Sequence, residues 1–343
     1  MTQSALLPRP TRRSSGGITL DDVSKLAGVS AITVSRALNS PDLVSPKTRE
    51  KVRLAVERTG YVPNLLAGGL ASNRSRLVAA LVPTIAGPVF LETIQALTEA
   101  LAESGYQLML GQAGYHNSRE DALIDAIVGR RPDGIVLTGI MRSAEGRRRL
   151  LASGIPVVET WDLTPTPVDM LVGFSHEKVG TDIAKFLYDK GYCRPAVITG
   201  DDQRANLRRA GFEQAWKALG GREPEICSVA APTTLGSGRT AFAGLLAEVP
   251  DIDVVVCSSD ALAHGVITEA QARGMRVPHD IAAMGFGDLG FAQHTHPAIS
   301  TVRIDGTAIG RQAARFIIDR AEGRPVEQKV INLGFSLVER ASA

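Results

Sequence analysis

Cysteine is scarce in this sequence, which has only three cysteines among 343 residues. Cys193, Cys227 and Cys257 are far apart and odd in number, and no C-x-x-C pair or Cys/His cluster occurs. This pattern excludes a disulfide framework and gives no indication of a metal site. Reduced thiols in a cytosol are therefore the expectation.

Long apolar runs are also missing. No stretch of 18 apolar residues is present, which excludes a membrane-spanning helix. Residues 1–17 contain basic residues and prolines but no apolar core, so they do not form a secretory signal, and we interpret them as a disordered arm. We expect a cytoplasmic protein that makes no membrane contact.

Catalytic signatures are absent as well. The sequence has no G-x-S-x-G, no Walker loop and no metal cluster, which argues against a sugar-modifying enzyme, and we predict no catalytic residue. The segment GFGDLG (285–290) matches G-x-G-x-x-G, but only a short segment follows it before Pro297, where a dinucleotide site needs a full helix. His294 and His296 lack a third ligand at useful spacing, so we predict a loop there and neither a metal nor a cofactor.

The charge that is present is unevenly distributed. The net charge is only +2, yet residues 1–75 hold 11 Lys/Arg against 5 Asp/Glu, and the remainder holds 27 against 31. A basic head on a nearly neutral body indicates a polyanionic partner, although solvated basic surfaces are also common.

Three short helices are predicted in the basic segment. Thr19 can cap a helix from Leu20 to Ala27, Ser30 can cap a second one that runs through Leu38, and a third helix spans about 45–59. The first two are joined by a glycine-containing turn and have the spacing of a helix-turn-helix, whose second helix enters the major groove of DNA. A small helical bundle without nucleic acid is the alternative.

The second helix would present its outward residues to DNA. Arg36 is a long donor that can bind guanine O6 and N7, and Ile32 and Ala31 can contact thymine methyl groups. The hydroxyl side chains of Ser30, Thr33 and Thr48 are suited to phosphates. The residues predicted to bind DNA in this segment are Thr19, Ser30, Ala31, Ile32, Thr33, Ser35, Arg36, Asn39 and Thr48.

From Leu77 onward, short apolar runs alternate with amphipathic stretches of helix length. Examples are LVAALV (77–82), AVIT (196–199) and VVVC (254–257). This alternation predicts βα units with parallel strands. Roughly ten such strands predict an α/β body of two doubly wound parallel sheets, hence two lobes, which divide near residue 160 with the C-terminal segments crossing back.

The sequence resembles the LacI family of transcription regulators. In the head the resemblance lies in A-G-V-S at the turn, T-V-S-R in the second helix, V-S-x-x-T-R-E-K-V at the third helix, and G-Y-x-P-N after it. In the body it lies in VGFSHEKVG (172–180), NLRRAGFEQA (206–215), SSDALAHG (258–265) and RVPHDIAAMGFGD (276–288), in that order. The resemblance spans over 50 residues of the head without a gap and extends over essentially the whole remaining chain.

The resemblance implies a hinge helix at about residues 64–71. It places Asn64 and Leu70 among the DNA-binding residues, with Leu70 as a wedge between base steps in the minor groove. Gly68 and Gly69 depart from the usual pattern and cost roughly 1 kcal/mol each relative to alanine, so the hinge should fold only on DNA. The predicted domains are a disordered arm (1–17), a helix-turn-helix domain (18–62), a hinge helix and linker (63–76), and a two-lobed effector-binding and dimerisation domain (77–343).

Effector-binding residues are sought where strands end, because two α/β lobes place those ends around one ligand. Phe90, Trp161 and Ser259 follow strands, and a tryptophan can stack on the apolar face of a sugar. The family resemblance places Arg208 at the arginine that holds the effector. Core packing, helix capping or an ion pair could explain the same residue types. The predicted effector-binding residues are Phe90, Glu159, Trp161, His176, Arg208, Ser259, Asp260 and Asp288.

The resemblance also implies a mechanism. A homodimeric repressor would bind a near-palindromic operator, and a small effector between the lobes would oppose or modulate DNA binding. VPTIAGPVFLETI, IPVVETWD and LGFSLVER resemble the gluconate-operon repressor branch, which implies a sugar-acid effector whose carboxylate pairs with Arg208. The alternative class, a solute-binding protein of a sugar transport system, shares the body fold but predicts a signal peptide and no DNA-binding head.

Overall fold

The computed structural model describes residues 18–62, 74–115 and 120–343. The chain forms two compact units, Met1–Ser75 and Arg76–Ala343. The predicted arm at 1–17 and the predicted hinge residues Asn64 and Leu70 lie outside the described residues.

The first unit contains the three helices that its capping residues predict. They are α1 (Leu20–Ala27), α2 (Ala31–Asn39) and α3 (Pro46–Thr59), with a 3-10 turn at Pro41–Leu43. Gly28 ends α1 at a φ of 66°, in the left-handed region that favours glycine, and this turn directs the chain into α2. The helices enclose a small apolar core of Val23, Ala27, Val34, Ala37, Val52 and Ala55.

The second unit alternates strands and helices. Its described strands are β1 (Leu77–Val82), β2 (Gln107–Gln112), β3 (Gly134–Thr138), β4 (Val157–Thr160), β5 (Met170–Gly173), β6 (Pro195–Gly200), β7 (Glu225–Val229), β8 (Val254–Cys257), β9 (Ala282–Met284), β10 (Thr301–Arg303), β11 (Val330–Asn332) and β12 (Ser336–Val338). Its described helices are α4 (Leu91–Glu103), α5 (Glu120–Val128), α6 (Ala144–Ser153), α7 (His176–Asp189), α8 (Gln203–Ala218), α9 (Leu235–Glu248), α10 (Asp260–Ala272) and α11 (Gly306–Ala321). None of the helices in the described ranges combines the length and the apolar composition that a membrane span requires.

Two parallel sheets organise this unit, as predicted. One has the strand order β11-β5-β4-β3-β1-β2 and the other β7-β6-β8-β9, while β10 and β12 form an antiparallel pair. We call the part around the larger sheet the first lobe and the part around the smaller sheet the second lobe. The strand order reverses between β1 and β3 in one sheet and between β6 and β8 in the other. At such reversals, α/β sheets open a crevice at the carboxyl ends of their strands.

The division between the lobes lies further along the chain than the predicted residue 160. β5 at Met170–Gly173 pairs with β4 and with β11, so the first sheet continues beyond that point. The chain enters the second lobe only after β5, and α7 then packs on α8. The C-terminal segments do cross back, because α11 packs on α4 and β11 extends the first sheet.

Glycines bring α7 and α8 into backbone contact. A Cβ added at Gly180 of α7 would overlap the carbonyl oxygen of Arg208, and one at Gly211 of α8 would overlap the carbonyl oxygen of Glu177. The absence of side chains at these two positions therefore sets the spacing of the helix pair. Arg208 lies on α8 at this contact, so its backbone position depends on that spacing.

Gly180→Ala should destabilise the protein by about 1–3 kcal/mol, because the new methyl group must push α8 away from α7. Gly244→Ala is the matched control, since Gly244 lies in α9 and a Cβ added there meets no described atom within 4 Å beyond its chain neighbours and the adjacent backbone of its own helix. That control should be neutral or stabilising by about 0.5–1 kcal/mol. Urea unfolding measures both free energies, and equal effects of the two substitutions would contradict the close helix contact.

Candidate functional site

A cleft of about 710 Å³ opens where the two sheets reverse their strand order. We call it the first cavity. Predominantly aromatic and small residues line it from the first lobe, and a mixture of polar and apolar residues, including its charged side chains, lines it from the second. The lining includes Gly87, Pro88, Val89, Phe90, Tyr115 and Trp161 of the first lobe, and His176, Asp202, Arg204, Arg208, Ser258, Ser259, Phe286 and Leu289 of the second. The cavity therefore brings together five of the eight predicted effector residues: Phe90, Trp161, His176, Arg208 and Ser259.

Arg208 is a buried charged residue of this cavity, with a relative exposure of 9%. Its Nη2 donates to the carbonyl of Ser258 at 3.1 Å, its Nη1 lies 3.0 Å from Nδ1 of His176, and its Cζ lies 3.9 Å from the centre of the Phe286 ring. Burial lowers the pKa of the guanidinium to about 10, so it stays protonated at neutral pH. Acceptors among the described residues occupy only two of its five N–H groups.

His176 holds the other side of that guanidinium. Its Nε2 lies 2.8 Å from the carbonyl oxygen of Trp161, which can only accept, and its Nδ1 faces an arginine, which can only donate. Both contacts are satisfied together only by the neutral imidazole with its proton on Nε2. Burial, followed by the charges of Arg208 and Arg204, holds the pKa of His176 well below its usual value.

Aromatic rings form the wall contributed by the first lobe. Trp161 lies edge-on to Phe90, with ring centres 5.1 Å apart, and to Phe174 at 5.8 Å. Its indole Nε1 donates to the Thr93 hydroxyl at 3.0 Å, so the tryptophan offers the cavity its ring rather than its N–H group. The backbone at Trp161 has a φ of 65°, an uncommon value for a non-glycine residue, which turns the chain sharply after β4.

A second cavity of about 700 Å³ adjoins the first at the ends of β1 to β4. Tyr115, Asp202 and Arg204 line both cavities. Arg204 separates them, since its Nη1 donates to the carbonyl of Thr138 at 3.3 Å and its Cζ lies 4.9 Å from the centre of the Phe90 ring. Because Arg204 belongs to α8 and its two partners to the first lobe, this side chain joins the lobes across the cleft.

The second cavity is markedly polar. Asp162 lies in it as a buried carboxylate, 3.6 Å from the guanidinium of Arg142, and burial raises its pKa. Sequence reasoning missed Asp162, Asp202, Arg204 and Tyr115. Their position after a strand could have identified Asp162 and Asp202, which follow β4 and β6. The same criterion selects Trp161 after β4 and Ser259 after β8.

Three predicted effector residues do not line either cavity. Both carboxylate oxygens of Glu159 accept backbone N–H groups, from Met141 at 2.7 Å and Val168 at 2.8 Å. Asp260 accepts from the Thr301 hydroxyl and from the backbone of Leu289 at 2.7 Å, and burial raises its pKa to about 6. These carboxylates hold loops beside the cleft, so the geometry does not support the predicted contact with an effector.

Asp288, the third of these residues, is held by two arginines. Its carboxylate pairs with Arg303 and with Arg340, both at 2.7 Å, and it is almost fully buried.

Ser259 lines the first cavity but also caps α10, because its hydroxyl accepts the Leu262 backbone N–H, and it contacts the Thr233 hydroxyl at 2.9 Å. Helix capping therefore accounts for part of its environment.

In the first unit, the predicted hydroxyl residues already have partners within the chain. Thr19 caps α1 in a capping box with Asp22, and Ser30 caps α2 with its hydroxyl 2.8 Å from that of Thr33. Thr48 likewise lies 3.0 Å from the Ser45 hydroxyl at the start of α3. These caps orient the helices, and a phosphate contact would have to share the same hydroxyls.

The outer face of α2 is accessible. Ile32 is 66% exposed, and Arg36 and Asn39 are also exposed, while Asn39 donates to the Ser35 hydroxyl at 3.3 Å. Ala31, Thr33 and Ser35 are partly buried beside them. The arrangement gives a short helix with a long cation and an apolar side chain on one side, which suits the base edges of a DNA groove.

Comparison with known proteins gives two family matches. Residues 19–64 match the bacterial regulatory proteins of the lacI family, and residues 184–343 match the periplasmic binding protein-like domain. The chain is 38% identical to the HTH-type transcriptional regulator GntR of Pseudomonas aeruginosa, over 96% of this chain and 97% of that protein.

Two solved structures of similar proteins are relevant. A transcriptional regulator of the LacI family from Silicibacter pomeroyi is 32% identical with a TM-score of 0.90, covering 95% of this chain and 99% of that one. The transcriptional regulator CelR, solved as a cellobiose complex, is 30% identical with a TM-score of 0.69, covering 95% of this chain and 100% of that one.

The free energy of unfolding should fall as the pH drops below about 6.5, in part because of His176. The unfolded imidazole takes up a proton near pH 6.5, whereas the folded one stays neutral to lower pH, so acid stabilises the unfolded state. An asparagine at position 176 does not titrate. As the pH falls from 7 to 5, the free energy of unfolding of the wild type should therefore decrease relative to that of His176→Asn, by at most about 1.4 kcal/mol per pH unit. Urea unfolding at each pH measures this difference.

The raised pKa values of Asp162 and Asp260 act in the opposite direction but are common to both proteins, so they cancel in that difference. His264→Asn is the matched control, because His264 is only half-buried and should give a smaller pH-dependent difference. A difference between wild type and His176→Asn that does not change with pH would show that His176 is not a neutral buried group.

Proposed function

Because this chain belongs to the LacI family of bacterial transcriptional regulators, we propose that it represses a sugar-acid catabolic operon in the cytoplasm. In this proposal the N-terminal unit binds operator DNA, and a gluconate-type effector in the cleft modulates that binding. The observation that carries the proposal is the buried guanidinium of Arg208 in the first cavity. The helix-turn-helix match favours a regulator over a transport binding protein, which needs no such segment.

A carboxylate is the group that best complements Arg208. The guanidinium is charged, largely removed from water and bonded to neutral acceptors, so no described residue compensates its charge by direct contact. Charge-assisted hydrogen bonds to a carboxylate are short and strong, and arginine offers two parallel donors for them. The aromatic wall of Phe90 and Trp161 then suits the carbon face of a sugar chain.

A neutral sugar is the second candidate for the effector. The structurally similar CelR was solved as a cellobiose complex, and here the second cavity contains the buried carboxylate of Asp162, an acceptor for sugar hydroxyl groups. An effector with hydroxyl groups at one end and a carboxylate at the other would use both cavities. The two candidates differ in whether charge contributes to affinity.

DNA binding would follow from two copies of the first unit on a homodimer. Two-fold symmetry in the protein matches a near-palindromic operator, with one α2 in the major groove of each half-site. If the effector favours a lobe arrangement different from the one that binds operator, the two ligands oppose each other with one reciprocal coupling energy, typically about 1–3 kcal/mol.

Calorimetry with D-gluconate, 2-ketogluconate, D-glucose and cellobiose should show binding of the acids. Arg208→Gln should weaken acid binding roughly 10- to 100-fold, since a charged hydrogen-bond partner contributes about 1.5–3 kcal/mol. Arg209→Gln is the control, because Arg209 is the next residue on α8 and lines neither cavity of the cleft. Tight binding of a neutral sugar alone would defeat the sugar-acid proposal.

Arg36→Ala should relax the preference at one base position by about 1–3 kcal/mol, as expected for a residue that binds a guanine edge. Gel shifts on operator variants upstream of the protein's own gene, at fixed salt concentration, measure this preference. Arg53→Ala serves as the control because the guanidinium of Arg53 is engaged by Glu50 and Glu57 on α3. Equal weakening on every sequence would instead identify Arg36 as a phosphate contact.

A further inference from the structure

We propose that His176 is a positioning residue that orients Arg208 for an anionic effector and thereby sets the preference of the cleft for a sugar acid over its neutral analogue. The inference rests on the proposed function, since it concerns the same cleft. It assigns to His176 an action through Arg208 rather than a contact with the effector.

Three contacts fix the guanidinium plane of Arg208. The Ser258 carbonyl, which follows β8, accepts from Nη2, and the Phe286 ring lies against the flat face. Neither contact includes a hydrogen bond from Nη1. Nδ1 of His176 accepts one from Nη1 at 3.0 Å, so the remaining N–H groups keep one direction. A guanidinium held in this way loses little rotamer freedom when it binds a carboxylate.

His176 is itself held from the opposite side. It is the first residue of α7, its Nε2 lies 2.8 Å from the carbonyl of Trp161, and its ring packs edge-on against Phe174 with centres 4.7 Å apart. His176 as a whole is 2% exposed. Trp161 and Phe174 come from the chain segments at the ends of β4 and β5, so His176 joins the arginine of the second lobe to the aromatic wall of the first.

Arg208 favours an anionic ligand because its hydrogen-bond partner His176 is neutral. An aspartate or glutamate at this position would pair with Arg208 and cancel its charge within the cavity. The imidazole accepts one hydrogen bond and carries no charge, because its proton lies between Nε2 and the Trp161 carbonyl. Arg208 therefore keeps its positive charge for a ligand in a site of low dielectric constant, where that charge acts strongly.

The test separates the two hydrogen bonds of His176 by substitution. His176→Asn places its side-chain oxygen where Nδ1 lies and keeps the acceptor for Arg208, whereas His176→Gln places its amide nitrogen near Nε2 and keeps the donor to Trp161. Calorimetry on the full-length chain would compare D-gluconate with D-gluconamide, which differ only at one group, a charged carboxylate in the first and a neutral amide in the second. His264→Asn, outside the cleft, is the control, and circular dichroism confirms folding.

His176→Asn should keep the wild-type preference for gluconate over gluconamide within about threefold. His176→Gln should reduce that preference at least tenfold through weaker gluconate binding, with gluconamide affinity little changed. Equal losses for both ligands in folded variants, or a preference that survives in His176→Gln, would overturn the role of His176 while leaving the sugar-acid proposal intact. A wild-type protein without preference for gluconate would instead overturn the proposed function and this inference with it.

Discussion

The cleft depends on one physical constraint, a guanidinium removed from water and held by neutral groups. Charge is costly to bury unless hydrogen bonds compensate it, and within the described ranges Arg208 contacts a carbonyl, an imidazole nitrogen and an aromatic face. The carboxylates of Asp202 and Asp162 raise the pKa of Arg208 and so help to keep it charged. The folded protein thus maintains a cation whose best remaining partner is an anion from solution.

Two features of the fold position Arg208, the topology of the sheets and the close contact between α7 and α8. Reversal of strand order in each sheet places the ends of β1, β3, β6 and β8 around one space, and this much follows from α/β topology. The finer placement comes from α7 and α8, whose glycines let the helix backbones touch, so that His176 and Arg208 meet from neighbouring helices. A side chain at either glycine would separate the two residues that define the site.

Sequence reasoning succeeded where local signals determine structure. The caps at Thr19 and Ser30 and the turn at Gly28 predict the helices of the first unit, and the apolar run at 77–82 predicts β1 with its bounds. It failed where side-chain direction matters. Glu159 precedes Trp161 by two residues, and in an extended strand the two side chains would share one face. The left-handed backbone at Trp161 breaks that alternation, so Trp161 lines the cavity while the oxygens of Glu159 bind backbone amides.

The contacts across the cleft bear on regulation. His176 and Arg204, from the second lobe, reach the carbonyl oxygens of Trp161 and Thr138 in the first, beside the space where an effector would lie. A ligand that binds Arg208 and the Phe90–Trp161 wall would share atoms with this bridge, so its affinity would depend on how the lobes are arranged. A ligand shifts such an equilibrium only through its differential affinity for the two arrangements. The same hydrogen bonds that orient the arginine would therefore also link effector binding to lobe arrangement, and through reciprocal linkage to operator affinity.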